Sequence, residues 1–172
     1  NKQLFIIILL SLSVLCIVVL IIKNIKKNKI FNKIELKRPF LHIYDDKGPV
    51  KVDEYTIRNN LNHYYNEVTM TNCLEFSVNT CMTFVSQKLG RKLFHRSLER
   101  FGFGRITGVE LEDELPGEVL PWRKWSNALL ATSSYGQGIS ATPMQVVTAY
   151  AVLANGGKLV KPTIIDSIRK PD

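Results

Sequence analysis

Thiols and imidazoles are scarce in this sequence of 172 residues: three cysteines and three histidines. Cys16, Cys73 and Cys81, like His42, His63 and His95, are scattered without metal-ligand spacing, so no metal centre is expected. If Cys73 and Cys81 shared one helix they would stand about two turns apart, too far for a disulfide. Both are therefore expected to be small core residues. Internal repeats are absent, and so is any charge excess in the body of the chain. The formal net charge is +8, but residues 23–38 hold seven Lys or Arg against the single Glu35. Residues 39–172 carry fifteen basic and fourteen acidic side chains, a balance of only +1. A cationic stripe is missing, which argues against nucleic acid as a partner. With 45% hydrophobic and 22% charged residues the chain is not disordered, and its length suits about one domain.

Charge is also missing from Leu4 to Ile22, nineteen residues that are apolar or small and polar. That length meets the requirement for a membrane-spanning helix. A cleaved signal peptide is the competing reading, but the run is long, ends in lysines and has no Ala-x-Ala site. Lipidation at Cys16 is disfavoured because apolar sequence continues beyond it. Residues 1–22 are therefore expected to be a single-pass anchor, and 23–38 a basic linker near anionic headgroups. The positive-inside rule alone would put that linker in the cytoplasm.

From Pro39 the texture becomes that of a folded domain, 39–172. Phe40 to Tyr44 reads as a strand, Asp45 to Pro49 as a turn, Val50 to Val52 as a returning strand, and Asn59 to Asn66 as loop. Leu74, Val78, Met82, Val85 and Leu89 recur at helical spacing, predicting a helix from Thr69 or Thr71 to a stop at Gly90. A second helix is expected over Lys92 to Arg100 and a third over Trp125 to Thr132. The acidic run Glu110 to Glu114 lies in an exposed connection. Leu159-Val160 and Thr163 to Ile165 read as strand pieces around Pro162.

The most legible stretch is Ser134-Tyr135-Gly136-Gln137-Gly138-Ile139-Ser140-Ala141-Thr142-Pro143-Met144-Gln145. Thr142 suits a helix N-cap, Pro143 the first helical position, and Gln145 the third, which is a capping-box pattern. The following Val146 to Ala154 is apolar nearly all round, predicting burial within a larger protein. Asn155-Gly156-Gly157 supplies the left-handed residues that end a helix.

Tyr-Gly-Gln-Gly, then Thr-Pro-x-Gln, then Ala-Asn-Gly-Gly resembles the transpeptidase domain of class B penicillin-binding proteins. Phe101 to Gly104, Thr107 to Leu111, and Trp122 to Trp125 stand in that family's order, and Ser77-Val78-Asn79 falls where the family has Ser-x-Asn. The resemblance covers roughly His42 to Ile165. It implies an α+β fold, a partial penicillin-binding transpeptidase domain of the serine β-lactamase-like kind, preceded here by one transmembrane helix. It also implies a body on the extracytoplasmic side and acyl transfer from D-Ala-D-Ala stem peptides of peptidoglycan, without metal or organic cofactor. β-Lactams and other cell-wall synthesis proteins would be further partners.

Three motifs meet in the cleft of such serine acyl-transferases. By resemblance Ser77 is the proton-relay hydroxyl and Asn79 the amide that orients substrate. Gly136, Gln137 and Gly138 either border the cleft or serve backbone geometry. Only Ser167-Ile168-Arg169-Lys170 fits Ser-x-x-Lys, and it stands after Ser77, where the family places its nucleophile before it. Lys-Ser-Gly and Lys-Thr-Gly do not occur, so the nucleophile is unassigned and the chain is expected to be catalytically incomplete as it stands. The alternative is a non-catalytic, membrane-anchored interaction protein of the division or elongation machinery.

Overall fold

A computed structural model of the chain describes residues 42–167. The expected anchor and basic linker lie outside the described residues. Among those described, no helix is long and apolar enough to cross a membrane.

Four short strands form two separate antiparallel pairs. β1 (Ile43–Asp46) pairs with β4 (Asn66–Thr69), with Ile43 opposite Thr69 and Asp46 opposite Asn66. β2 (Val50–Val52) pairs with β3 (Tyr55–Ile57), with Val50 opposite Ile57. The expected return of Val50 to Val52 is thus a strand, but it turns onto the strand after it. Asp53 makes that reversal by adopting φ +52°, which Asp tolerates better than most residues. Asn59 to Asn66 is not wholly loop: a 3-10 turn covers Asn60–Asn62 and Asn66 begins β4.

Among the described residues five helices follow. α1 (Met70–Glu75) starts in a capping box between Thr69 and Asn72. α2 (Asn79–Leu89) and α3 (Arg91–Arg100) meet at Gly90, whose φ of +78° breaks the helix as the sequence predicts. A 3-10 turn at Trp122–Lys124 precedes α4 (Asn127–Ser133), and α5 (Pro143–Ala154) completes the set. The capping box on α5 is as expected: Thr142 Oγ1 accepts from the Gln145 N–H at 3.2 Å, and Gln145 Oε1 accepts from the Thr142 N–H at 2.9 Å. Each such cap contributes about 1 kcal/mol.

The core lies where α2 crosses α4, with the β1–β4 pair beside it. Val78, Met82 and Val85 of the α2 side meet Phe94 and Leu98 from α3, and Leu130 and Ala131 from α4. Trp125 is sealed into the same core, donating its ring N–H to the Leu120 carbonyl and packing at 5.9 Å from the Phe94 ring. α5 buries only the face of Gln145, Val146, Thr148, Ala149 and Val152, while Val147 is 63% exposed. Burial all round is therefore not what the described residues give this helix. Leu159-Val160 and Thr163 to Ile165 belong to no strand among the described residues, contrary to expectation.

Candidate functional site

The single helix expected from Thr69 to Gly90 is two helices, and the break is Phe76-Ser77-Val78. α1 ends because its carbonyls are taken by a tight reversal. The Val78 N–H donates to the Cys73 carbonyl at 2.9 Å and the Ser77 N–H to the Leu74 carbonyl at 3.1 Å. That pair of bonds is the Schellman arrangement, whose turning residue is normally glycine. Here it is Ser77, held at φ +54°. A side chain in that region costs about 1–2 kcal/mol. No hydrogen bond joins the Ser77 hydroxyl to another described residue, so nothing local repays the strain.

The break also moves Cys73 and Cys81 into bonding position. With Ser77 and Val78 reversing the chain, their Cα atoms stand 6.0 Å apart and the two sulfurs form a disulfide. Both residues are fully buried, as core residues should be. The expected separation assumes continuous helix through Ser77, and that assumption fails. The disulfide closes a loop around Ser77-Val78-Asn79.

Within that loop burial alternates. Val78 is fully buried in the core, while Ser77 and Asn79 are half-buried on either side of it. Asn79 is the first residue of α2, and its Nδ2 donates to the Arg58 carbonyl at 2.9 Å. The Asn79 Oδ1 and its second N–H are left for other partners.

A buried polar cluster behind this turn escapes sequence reading. Val78 occupies the N-cap of α2 and offers no capping oxygen. Asn59 supplies one from afar, its Oδ1 accepting from the Thr80 N–H at 3.2 Å. Asn59 in turn donates from Nδ2 to the Asp46 carboxylate, at 2.9 Å to Oδ2 and 3.1 Å to Oδ1. Asp46, fully buried, also accepts from the Thr80 hydroxyl at 2.6 Å and the Tyr65 N–H at 3.0 Å. Burial pushes the neighbouring Tyr44 phenol above its ordinary range; the Thr80 hydroxyl partly offsets this, and the Asp46 and Asp45 charges add to it. Asp46 and Asn59 read in sequence as ordinary turn formers, and only their burial marks them otherwise.

The second group of expected residues lies after α4. Gly136 sits at φ +90°, reversing the chain beyond Ser134 and Tyr135. Gly138 faces Ser133 so closely that a Cβ would overlap the Ser133 Oγ and the Thr132 Oγ1. Both glycines meet a backbone need, and Gly138 also lines a cleft. Gln137 is exposed and borders, with Gly138, Thr132 and Glu118, a cleft of about 300 Å³. Ser77 and Asn79 do not line that cleft, and no hydrogen bond among the described residues joins the two groups. Burial raises the Tyr135 phenol above its usual range. No group of three or more His, Cys, Asp or Glu side chains among the described residues could hold a metal ion.

Comparison with known proteins shows the family. Residues 25–172 match the penicillin binding protein transpeptidase domain. Penicillin-binding protein PbpB of Mycolicibacterium smegmatis is 33% identical over 125 residues, covering 73% of this chain and 19% of that protein. Stage V sporulation protein D of Bacillus subtilis is 32% identical over 142 residues, covering 80% of this chain and 22% of that protein. The chain therefore spans about a fifth of the length of these relatives. Among solved structures, penicillin binding protein 3 of Mycobacterium tuberculosis in complex with aztreonam superimposes with a TM-score of 0.75 at 28% identity, covering 90% of this chain and 32% of that one. A peptidoglycan glycosyltransferase from Burkholderia ambifaria, 20% identical, shares the fold at a TM-score of 0.76 over 94% of this chain and 48% of its own. On the domain match and the two aligned relatives, this chain belongs to the penicillin-binding protein transpeptidase family.

Proposed function

We propose that the chain is the Ser-x-Asn-bearing part of a peptidoglycan D,D-transpeptidase of cell-wall synthesis. In that reaction a serine hydroxyl attacks the carbonyl between the two D-alanines of a stem peptide. The terminal D-alanine leaves with the proton taken from the hydroxyl. An amine of a neighbouring strand then displaces the ester and regenerates the serine. Ser77 is the relay hydroxyl for those proton transfers, and Asn79 holds the peptide backbone of the stem. β-Lactams occupy the same place, a reading supported by the aztreonam complex of the mycobacterial relative.

The observation that carries this reading is Ser77 itself: a hydroxyl, unpaired among the described residues, held in a glycine conformation two residues from a half-buried amide. Backbone strain of this kind persists where the side chain is used. Ser-x-x-Lys in the family's place is absent from these 172 residues, so acylation requires a segment that supplies the nucleophile. The division into anchor at 1–22, linker at 23–38 and domain from 39 belongs to the same proposal, with the body on the extracytoplasmic side. The Cys73–Cys81 disulfide supports that side, because such bonds persist in oxidising compartments.

The test is labelling of the membrane-borne protein with a fluorescent penicillin, with mass spectrometry to find the ester. The expected adduct is on a serine other than Ser77, and Ser77→Ala slows labelling about a hundredfold. An adduct on Ser77 would overturn its relay role. A folded protein that never labels would overturn acyl transfer and favour the non-catalytic interaction protein.

A further inference from the structure

We infer that Asp46 is a positioning residue for the Ser-x-Asn turn, acting through Asn59 and Thr80 on Asn79; this rests on the reading of Ser77 and Asn79 given above. A fully buried carboxylate is expensive unless its charge is met by donors. Here three groups meet it, and each belongs to a segment that frames the turn. The Thr80 hydroxyl comes from the first turn of α2, the Asn59 amide from the residue after Arg58, and the Tyr65 N–H from the approach to β4. No cation faces the carboxylate among its hydrogen-bonding partners, so the donors alone hold it.

The consequence for Asn79 is geometric. Asn59 is clamped at both ends of its amide: Nδ2 donates to Asp46 and to the His63 carbonyl at 3.0 Å, while Oδ1 accepts from Thr80. A fixed Asn59 fixes the Arg58 carbonyl beside it, and that carbonyl holds one N–H of Asn79. The remaining Oδ1 and N–H of Asn79 are thereby aimed without any help from substrate. Purely structural needs would be met more cheaply by apolar side chains at Asp46 and Thr80, since a buried polar network is costly unless every member is satisfied. What the network adds over an apolar plug is direction for one amide.

Asp46→Asn keeps the size and removes one acceptor, placing an NH2 group opposite either Asn59 or Tyr65. In membranes carrying the whole protein, the expected result is about a tenfold rise in the half-saturating concentration of fluorescent penicillin, from misplacement of Asn79 by a fraction of an ångström. Asn79→Ala should raise it at least as much. If Asp46 works through Asn79, the double variant behaves like Asn79→Ala alone, a non-additive cycle. Exchanging the pair, Asp46→Asn with Asn59→Asp, restores donor–acceptor pairing between positions 46 and 59, while the His63 carbonyl loses its donor. The carboxylate moved to position 59 receives the Thr80 N–H, the Thr80 hydroxyl and the side-chain amide introduced at position 46. That exchange should recover part of the lost affinity.

Additive effects of Asp46→Asn and Asn79→Ala overturn the positioning role. So does a lower melting temperature with unchanged half-saturation in the folded protein, which marks a merely structural network. If Ser77→Ala and Asn79→Ala both leave labelling unchanged, the reading of the site fails, whatever Asp46 does.

Discussion

Three helices among the described residues close on the same six-residue hydrogen bond, two with glycine at the turning position and one with serine. At the end of α5 the Gly157 N–H donates to the Val152 carbonyl at 2.7 Å, and the turning residue is Gly156 at φ +79°. At the end of α1 the Val78 N–H donates to the Cys73 carbonyl in the same six-residue closure, and the turning residue is Ser77 at φ +54°. α3 follows the glycine rule as well, with Gly102 at φ +90° and the Phe103 N–H on the Leu98 carbonyl. The backbone problem is identical in the three places. Only the α1 turn solves it against the steric preference, and only that turn is bracketed by a disulfide. Strain and staple occur together at the turn proposed above as the Ser-x-Asn site.

The largest effect expected from breaking this comparison comes from the staple. Replacing Cys73 and Cys81 together by alanine frees a short loop in the unfolded chain and should lower stability by about 2–3 kcal/mol. Urea denaturation of oxidised, reduced and double-variant protein measures it. A midpoint unmoved by reduction would mean that backbone hydrogen bonds alone hold the Ser77 turn, as they do at Gly156.

Next in size is the exchange of turning residues. Gly156→Ala is a clean test, because an added Cβ there meets nothing within 4 Å. The left-handed backbone alone sets its cost, about 1 kcal/mol net of the lower entropy of the unfolded alanine chain. Ser77→Gly should move the other way, raising stability by up to about 1 kcal/mol while removing the hydroxyl proposed as the relay. Opposite signs at the two positions would establish that Ser77 is kept for its side chain. Loss of stability in Ser77→Gly would instead make the hydroxyl a structural group.

These positions also mark what the sequence makes legible. The caps and stops of α5 are written within a few neighbouring residues: Thr142 with Gln145, Pro143, and then Gly156. Local rules suffice there, as they do for Gly90 between α2 and α3. The break at Ser77 is not legible because Leu74, Val78 and Met82 keep helical spacing across it, and serine does not advertise a left-handed turn. The unexpected disulfide follows from that single error. Strand pairing escapes for a different reason: β1 finds β4, and only tertiary packing decides that Val50 to Val52 turns toward Tyr55. Gln145 is legible as a cap but not as the buried hub it becomes, donating at 2.7 Å to both the Arg105 and Pro116 carbonyls. The Asp46–Asn59–Thr80 cluster is invisible for the same cause, since its members are 13 to 34 residues apart.

The smallest expected effect concerns a turn held by charge rather than by backbone bonds. Glu114 accepts from the Thr107 hydroxyl at 2.6 Å, the Thr107 N–H at 2.7 Å and the Gly108 N–H at 2.8 Å. The Thr107 hydroxyl foremost holds the Glu114 carboxyl below its ordinary range; desolvation opposes it, and the two N–H groups add to the lowering. A carboxyl depressed in the folded state contributes stability above its unfolded pKa and loses it as pH falls through the folded value. The wild-type chain should therefore exceed Glu114→Gln in stability near neutral pH, and the gap should close below about pH 4. Because the carboxylate is open to solvent, added salt should narrow the gap further. Denaturation midpoints of the two proteins across that range decide the matter. A gap independent of pH would mean that side-chain shape, not the carboxylate charge, fixes the Thr107–Gly108 loop. The contrast with Ser77, whose turn is closed by uncharged backbone groups and should show no such pH dependence, would then disappear.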